Sequence, residues 1–212
     1  DVLDLYVDAS TGNDANNGLS SSKAKKTIQA AVNLLPARID NNVTVHIASG
    51  VYREQVKLIG ISVDPDHSLT ILGDPTTVPT DSVDPNVRIS GSDNDVTPVR
   101  AEGILIYDST GLIVKGIVVD HCSTYGIASS FSGCVFINCK SRNNTYDGFL
   151  AAQGELQYSA CYSKQNGRYG FSFSQFAHVI MNTCTAKSNS SDGVNASRSM
   201  LWLNASCLFT TN

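Results

Sequence analysis

With 212 residues the chain can bury one substantial core, so a single domain is the default. A formal net charge of −4, without a basic stripe, speaks against nucleic acid as a partner, and no acidic run marks a disordered tail. No apolar run approaches the roughly 18 residues of a membrane span, so no membrane insertion is expected; no signal-peptide pattern opens the chain at Asp1, though a processed or truncated chain would lack one anyway.

In chain order, Leu5–Ala9 reads as a short strand and Thr11–Gly18 (TGNDANNG) as turn chemistry. That turn fails the spacing of a calcium loop, because Ala15 stands two positions before Asn17. Thr27–Leu35 places Ile28, Ala31, Val32 and Leu35 on one helical face, with Thr27 as N-cap and Pro36 as the stop. Val43–Ala48 is the next strand and Ser49-Gly50 its turn; Val56–Ile59, Leu69–Leu72 and Val87–Ser90 are further strands between Pro- and Asp-rich loops such as Asp74–Asn86.

From Gly103 onward the chain repeats. Cys139, Cys161, Cys184 and Cys207 recur every 22 or 23 residues. Asn144, Asn166, Asn189 and Asn212 each follow a cysteine by five residues, and Gly126, Gly148, Gly170 and Gly193 keep the same spacing. A looser unit, Gly103–Tyr125, has Ile117 in the cysteine column and Cys122 in the asparagine column. Ile104, Ile127, Phe149, Phe171 and Val194 follow the glycines. Leu112, Cys134, Leu156, Val179 and Trp202 stand five before the cysteine column, and Val114, Phe136, Tyr158, Met181 and Asn204 three before it. Around them apolar and polar residues alternate, as in strands with one buried face. Such a period means stacked units. Each unit holds about three short strands and no helix, which predicts an all-β, right-handed, single-stranded parallel β-helix of 22–23-residue coils with an N-terminal capping α-helix. A leucine-rich repeat would need leucines at fixed offsets, and they are missing. The six cysteines are expected as free, buried thiols rather than a disulfide framework, because in-line thiols one coil apart match disulfide geometry poorly. The asparagine column is expected at a bend, its amides bonding along the stack and its backbone left-handed. Residues 1–100 are read as cap and irregular first coils and 101–212 as regular coils of one domain. The stop at Asn212, within a coil and with Trp202 and Phe209 uncovered, leads to the expectation of a longer protein or a covering partner chain.

Three segments carry a resemblance: Tyr6-Val-Asp-Ala-Ser-Thr-Gly-Asn-Asp, Lys26-Thr-Ile-Gln-Ala-Ala-Val, and Val45-His-Ile-Ala-Ser-Gly-Val-Tyr-Arg-Glu-Gln-Val. They resemble the N-terminal part of the pectin-lyase-like β-helix superfamily, most of all pectin methylesterases and the β-helix domains of bacterial and phage tail proteins. The methylesterase family has one catalytic aspartate in Gln-Asp-Thr and a second, one coil later, in Val-Asp-Phe-Ile-Phe-Gly. The matching positions are Asp147, in Tyr-Asp-Gly-Phe, and Tyr169, in Tyr-Gly-Phe-Ser-Phe. Tyrosine at the nucleophile position weakens a pectin esterase or lyase reading. Polysaccharide lyases of the superfamily often use calcium held by an Asp cluster, and the Asp93/Asp95 pair is a poor one, so no cofactor is expected, with calcium as an alternative that no motif supports.

The column before each glycine is Tyr125, Asp147, Tyr169 and Asp192; the column before that is Thr124, Tyr146, Arg168 and Ser191. Asp147 and Asp192 fall two coils apart, roughly 9.6 Å at about 4.8 Å per coil, against roughly 6.5–9.5 Å for the carboxylates of inverting glycosidases. They are the candidate catalytic pair. Tyr125, Tyr146 and Tyr169 could stack on sugar rings, and Arg168 could hold a carboxylate or sulfate. The bland alternative is that Asp before Gly is turn chemistry. His178, outward on a strand, and His121, beside Asp120 at a bend, could each serve as a base, though no Ser or Cys nucleophile is placed with them and the bland reading is a surface residue; His46 lies on an early strand and His67 in a loop, and none has zinc spacing. Val135, Gln157, Ile180 and Leu203, with Ile113, form an outward stripe that a homotrimer or a further C-terminal segment would cover.

The expected function is recognition of a polysaccharide or cell-surface glycan by a tailspike-like or secreted depolymerase-like protein, extracellular or virion-associated. If an enzyme, it is a glycoside hydrolase or polysaccharide lyase. A non-catalytic adhesin or structural rod is the alternative.

Overall fold

A computed structural model describes residues 2–204 and 206–210. The repeating unit is a three-sided coil. Face A carries Val56–Ile59, Ile104–Tyr107, the first halves of Ile127–Ile137 and Phe149–Ser159, Phe171–Ser174 and Val194–Ala196. Face B carries Val2–Val7, Asn42–Ile47, Leu69–Leu72, Leu112–Lys115, the second halves of the two long strands, His178–Asn182 and Met200–Asn204. Face C stacks seven strands, from Gly50–Tyr52 through Val87–Ser90, Val118–Asp120, Lys140–Arg142, Tyr162–Lys164 and Thr185–Lys187 to Leu208–Phe209. Pairing between these strands is parallel, coil on coil, and the result is a right-handed parallel β-solenoid with very little helix.

Residues with positive φ turn the corners. Between faces B and C it is Gly116, Asn138, Ala160 or Thr183; between C and A it is His121, Asn143, Gln165 or Ser188. The left-handed backbone therefore falls on the residue before the asparagine column. The column itself does the bonding. Asn144 Nδ2 donates to Asn166 Oδ1 at 2.9 Å, and Asn166 Nδ2 to Asn189 Oδ1 at 2.9 Å. Asn212 lies outside the described residues. Ser141 and Ser163 donate to the carbonyls of Gly148 and Gly170, which fixes the glycine column: a Cβ on Gly126 would sit 1.9 Å from Ser141 Oγ, and one on Gly148 2.2 Å from Ser163 Oγ.

Inside the coil, like stacks on like. The Phe149 and Phe171 rings are parallel at 4.7 Å, and Phe136 and Tyr158 at 5.0 Å. All six cysteines are free. Cys139, Cys161, Cys184 and Cys207 each donate to a carbonyl one coil back, at 3.4–3.6 Å. Burial pushes the Cys122 and Cys134 thiols up to about 12.

The first strand ends earlier than expected, at Val7, because Asp8 folds its carboxylate onto the Ser10 and Thr11 amides and starts a turn. The cap helix is Ile28–Val32, shorter than the sequence pattern, and tightens at Leu34 and Leu35 into i→i−3 bonds ahead of Pro36. It buries Ile28, Ala31 and Val32. Thr27 caps it as expected, and Glu54 accepts from the Ile28 and Gln29 amides at 2.8 and 2.9 Å. The glutamate of the Gly-Val-Tyr-Arg-Glu segment is thus a helix clamp.

Loop 74–86 lies along face C as a strap. Buried Lys140 donates to the carbonyl of Thr80 and pairs with Asp84. Lys164 and Lys187, on successive coils, hold the two oxygens of Asp81 at 3.0 and 2.9 Å. Asp93 and Asp95 are engaged with arginines: Asp95 bridges Arg53 and Arg88, and Asp93 pairs with Arg100.

Candidate functional site

Two surfaces stand out, on opposite sides of the coil. The first is the corner from face C to face A, where the sequence placed its site. Backbone bonds confirm the columns: Gly126 N donates to Asp147 O, Gly148 N to Tyr169 O and Gly170 N to Asp192 O. The same ladder puts Glu102 ahead of Tyr125, through Thr124 N to Ala101 O. The corner brings together Tyr125, Tyr146, Asp147, Arg168 and Tyr169. The Tyr125 and Tyr146 rings are 6.0 Å apart, and the Arg168 guanidinium lies 5.7 Å from the Tyr146 ring and 5.1 Å from that of Tyr169.

Asp147 departs from the exposed acid/base the sequence suggested. Its side chain is 0% exposed. It accepts Arg168 Nε at 2.8 Å and Nη2 at 2.6 Å, and the Tyr169 amide at 3.0 Å. Arg168 reaches back from the next coil, and Asp147 raises its guanidinium above its ordinary value. A carboxylate with both oxygens engaged and no contact with solvent has nothing to offer a substrate proton. The same pairing uses the Arg168 fork, so the expected grip on a ligand carboxylate or sulfate is spent internally. Asp192 is exposed and forms no ion pair among the described residues. The two aspartates are therefore not a pair of free carboxylates facing one substrate.

The second surface is a groove of about 550 Å³ along face B. Its floor is the outward file Ile113, Val135, Gln157, Ile180 and Trp202, one residue per coil. The neighbouring file is Gly111, Gly133, Glu155 and His178. Two glycines without side chains open one end; a carboxylate and an imidazole on adjacent coils rim the other. Trp202 is 51% exposed and meets His178 edge-on at 6.4 Å.

Trp202 corrects the sequence reading, which turned it inward and put Leu203 in the stripe. Counting back from Cys207 slips by one, because two residues separate Asn204 from Cys207 while one separates Asn182 from Cys184. The strand pairing sets Ile180 against Trp202 and Met181 against Leu203. Met200-Leu-Trp-Leu is apolar throughout, so no alternation on this strand marks which way Trp202 faces.

The "Right handed beta helix region" family matches residues 59–206, well over half of the chain. The chain belongs to the right-handed β-helix family. Among solved structures, this β-helix is similar to pectin methylesterase from Aspergillus niger, at 18% identity and TM-score 0.54 over 92% of this chain and 66% of that one. It is also similar to the GH136 lacto-N-biosidase from Eubacterium ramulus, at 10% identity and TM-score 0.55 over 97% of this chain and 57% of that one. At these identities the likeness is one of fold, and the chain spans less than two thirds of either structure. No curated protein sequence matches it. The β-helix has no helix long and apolar enough to cross a membrane among its described residues.

Proposed function

We propose that this β-helix binds a glycan chain in the face-B groove. Trp202 carries the reading: a large, half-exposed indole at the end of the outward file, inside the groove, offers a flat apolar face to a sugar ring, with Gln157 and Glu155 two coils further along the same groove as hydrogen-bonding groups. The fold's occurrence in a pectin methylesterase and a lacto-N-biosidase supports a carbohydrate ligand. The tailspike-like or secreted depolymerase-like role belongs to this reading, as does an extracellular setting.

Binding of the protein to a panel of neutral and uronate polysaccharides, measured by affinity electrophoresis, tests it. Trp202→Ala is expected to weaken retention about tenfold or more. Unchanged retention overturns the groove. A mass near three protomers with no glycan retention would instead mean that copies of the chain cover the file.

A cleaving activity is favoured by one observation, the exposed Glu155 and His178 on adjacent coils, about 4.8 Å apart by strand spacing. A carboxylate and an imidazole at that separation can divide the acid and base roles. Release of reducing ends, abolished in Glu155→Gln with glycan retention intact, is the expected result. The Asp147/Asp192 pair has no part in this reading.

A further inference from the structure

The tyrosine corner is unexplained by the groove. A three-sided coil puts the corner between faces C and A opposite face B, so a ligand lying in the groove cannot also touch Tyr146. The corner is built as a rigid surface. Arg168, held at both Nε and Nη2 by a fully buried carboxylate, stands between the rings of Tyr146 and Tyr169, and Tyr125 packs on Tyr146. Little side-chain freedom remains to be lost on binding. Polar groups are left over: Arg168 Nη1 and the three tyrosine hydroxyls make no hydrogen bond among the described residues.

Size and charge decide what fits. Of the three tyrosines Tyr146 is exposed, at 46%, while Tyr125 and Tyr169 are half-buried. Four side chains on adjacent coils fall far short of the roughly 800 Å² per partner that a stable protein interface buries. One or two sugar rings need far less. As for charge, Asp147 offsets Arg168, and the column is flanked by carboxylates: Glu102, held by Gln55 at 2.7 Å and Thr124 at 3.2 Å, on one side, and exposed Asp192 on the other. The local balance is negative, which disfavours a uronate or sulfated sugar.

We infer that Tyr125, Tyr146 and Tyr169, braced by Arg168, form a second binding site, separate from the groove, for one or two uncharged pyranose rings. Asp147 is its positioning residue, fixing the guanidinium against which the rings stand.

The test uses the full chain carrying Trp202→Ala, so that failure of the groove and failure of the corner read out separately. Oligosaccharides of glucose, galactose, mannose and xylose, with oligogalacturonate as the charged probe, are titrated while tyrosine fluorescence and the chemical shifts of the Tyr125, Tyr146 and Tyr169 amides are followed. At least one neutral probe is expected to shift those amides, and Tyr146→Ala is expected to weaken it about tenfold. Tyr146 is exposed, so that variant should keep the wild-type circular dichroism. Arg168→Lys, which keeps the charge but loses the fork, should weaken the neutral probe and leave oligogalacturonate unbound. The inference is overturned if no neutral probe shifts the amides, if Tyr146→Ala changes nothing, or if only oligogalacturonate binds.

Discussion

Asn166→Ala tests whether the asparagine column holds the coils together. Asn166 is fully enclosed, donating to Asn189 Oδ1 and Ser163 Oγ at 2.9 Å and accepting from the Asn144 amide at 3.1 Å and from Asn144 Nδ2 at 2.9 Å. Alanine removes the side-chain bonds and strands one donor outright, since the Asn144 backbone N–H has no other acceptor among the described residues. Asn144 Nδ2 keeps Ser141 Oγ, so it is only half deprived. An orphaned buried amide costs about 1–3 kcal/mol and each of the three other lost bonds about 1 kcal/mol, so a total of about 4–6 kcal/mol is expected. For a chain of this size that is a fall of roughly 8–24 °C in Tm. Urea unfolding followed by far-UV circular dichroism gives the value, with Asn195→Ala, on an outer strand, as a control expected within about 0.5 kcal/mol of wild type. A loss below about 1 kcal/mol at Asn166 with an unchanged m-value would refute the argument that cross-coil amides are a principal fastening.

Three further outcomes follow from the packing. Gly148→Ala puts a Cβ 2.2 Å from Ser163 Oγ, so a loss of about 1–3 kcal/mol is expected, with part recovered in the Gly148→Ala/Ser163→Ala double variant; simple additivity in a double-mutant cycle would show the clash is imaginary. With their thiols raised to about 12 by burial, Cys122 and Cys134 should resist a thiol reagent at pH 8 in the native protein, while half-buried Cys207 reacts; mass spectrometry of labelled peptides reads the order, and early modification at Cys134 would contradict the buried ladder. Glu54→Ala removes the clamp on the Ile28 and Gln29 amides and should cost about 1–2 kcal/mol, with hydrogen exchange rising first across 27–33; uniform exchange would show that the cap is not separately fastened.

Columns of like residues were readable because stacking puts the same physical demand on the same position of each coil. Gly148 must be glycine under Ser163, and Asn166 must be asparagine between Asn144 and Asn189. What escaped the sequence was relation across columns. Asp147 looked like an exposed turn residue because its partner, Arg168, sits one column earlier and one coil later, and no spacing rule links them. Trp202 was turned inward by counting from a cysteine across an inserted residue, so the outward stripe Ile113, Val135, Gln157 and Ile180 was legible without its aromatic end. Glu102 stands before Gly103, the first glycine of the looser unit, and extending the column by that one coil would have put it at the head of the tyrosine column, where the backbone bonding places it.

The strap has a mechanical meaning. In a stack where each coil touches only its neighbours, coils can open from an end one at a time, like a ladder losing rungs. The segment around Asp81 and Asp84 breaks that locality. Anchored between the strands Leu69–Leu72 and Val87–Ser90, it reaches forward to Lys140, Lys164 and Lys187, tying early coils to three later ones. Any of these three coils that opens must also give up its lysine's hold on a segment rooted several coils earlier. The strap thus acts as a tie-rod, making fraying at one end a concern of the whole column.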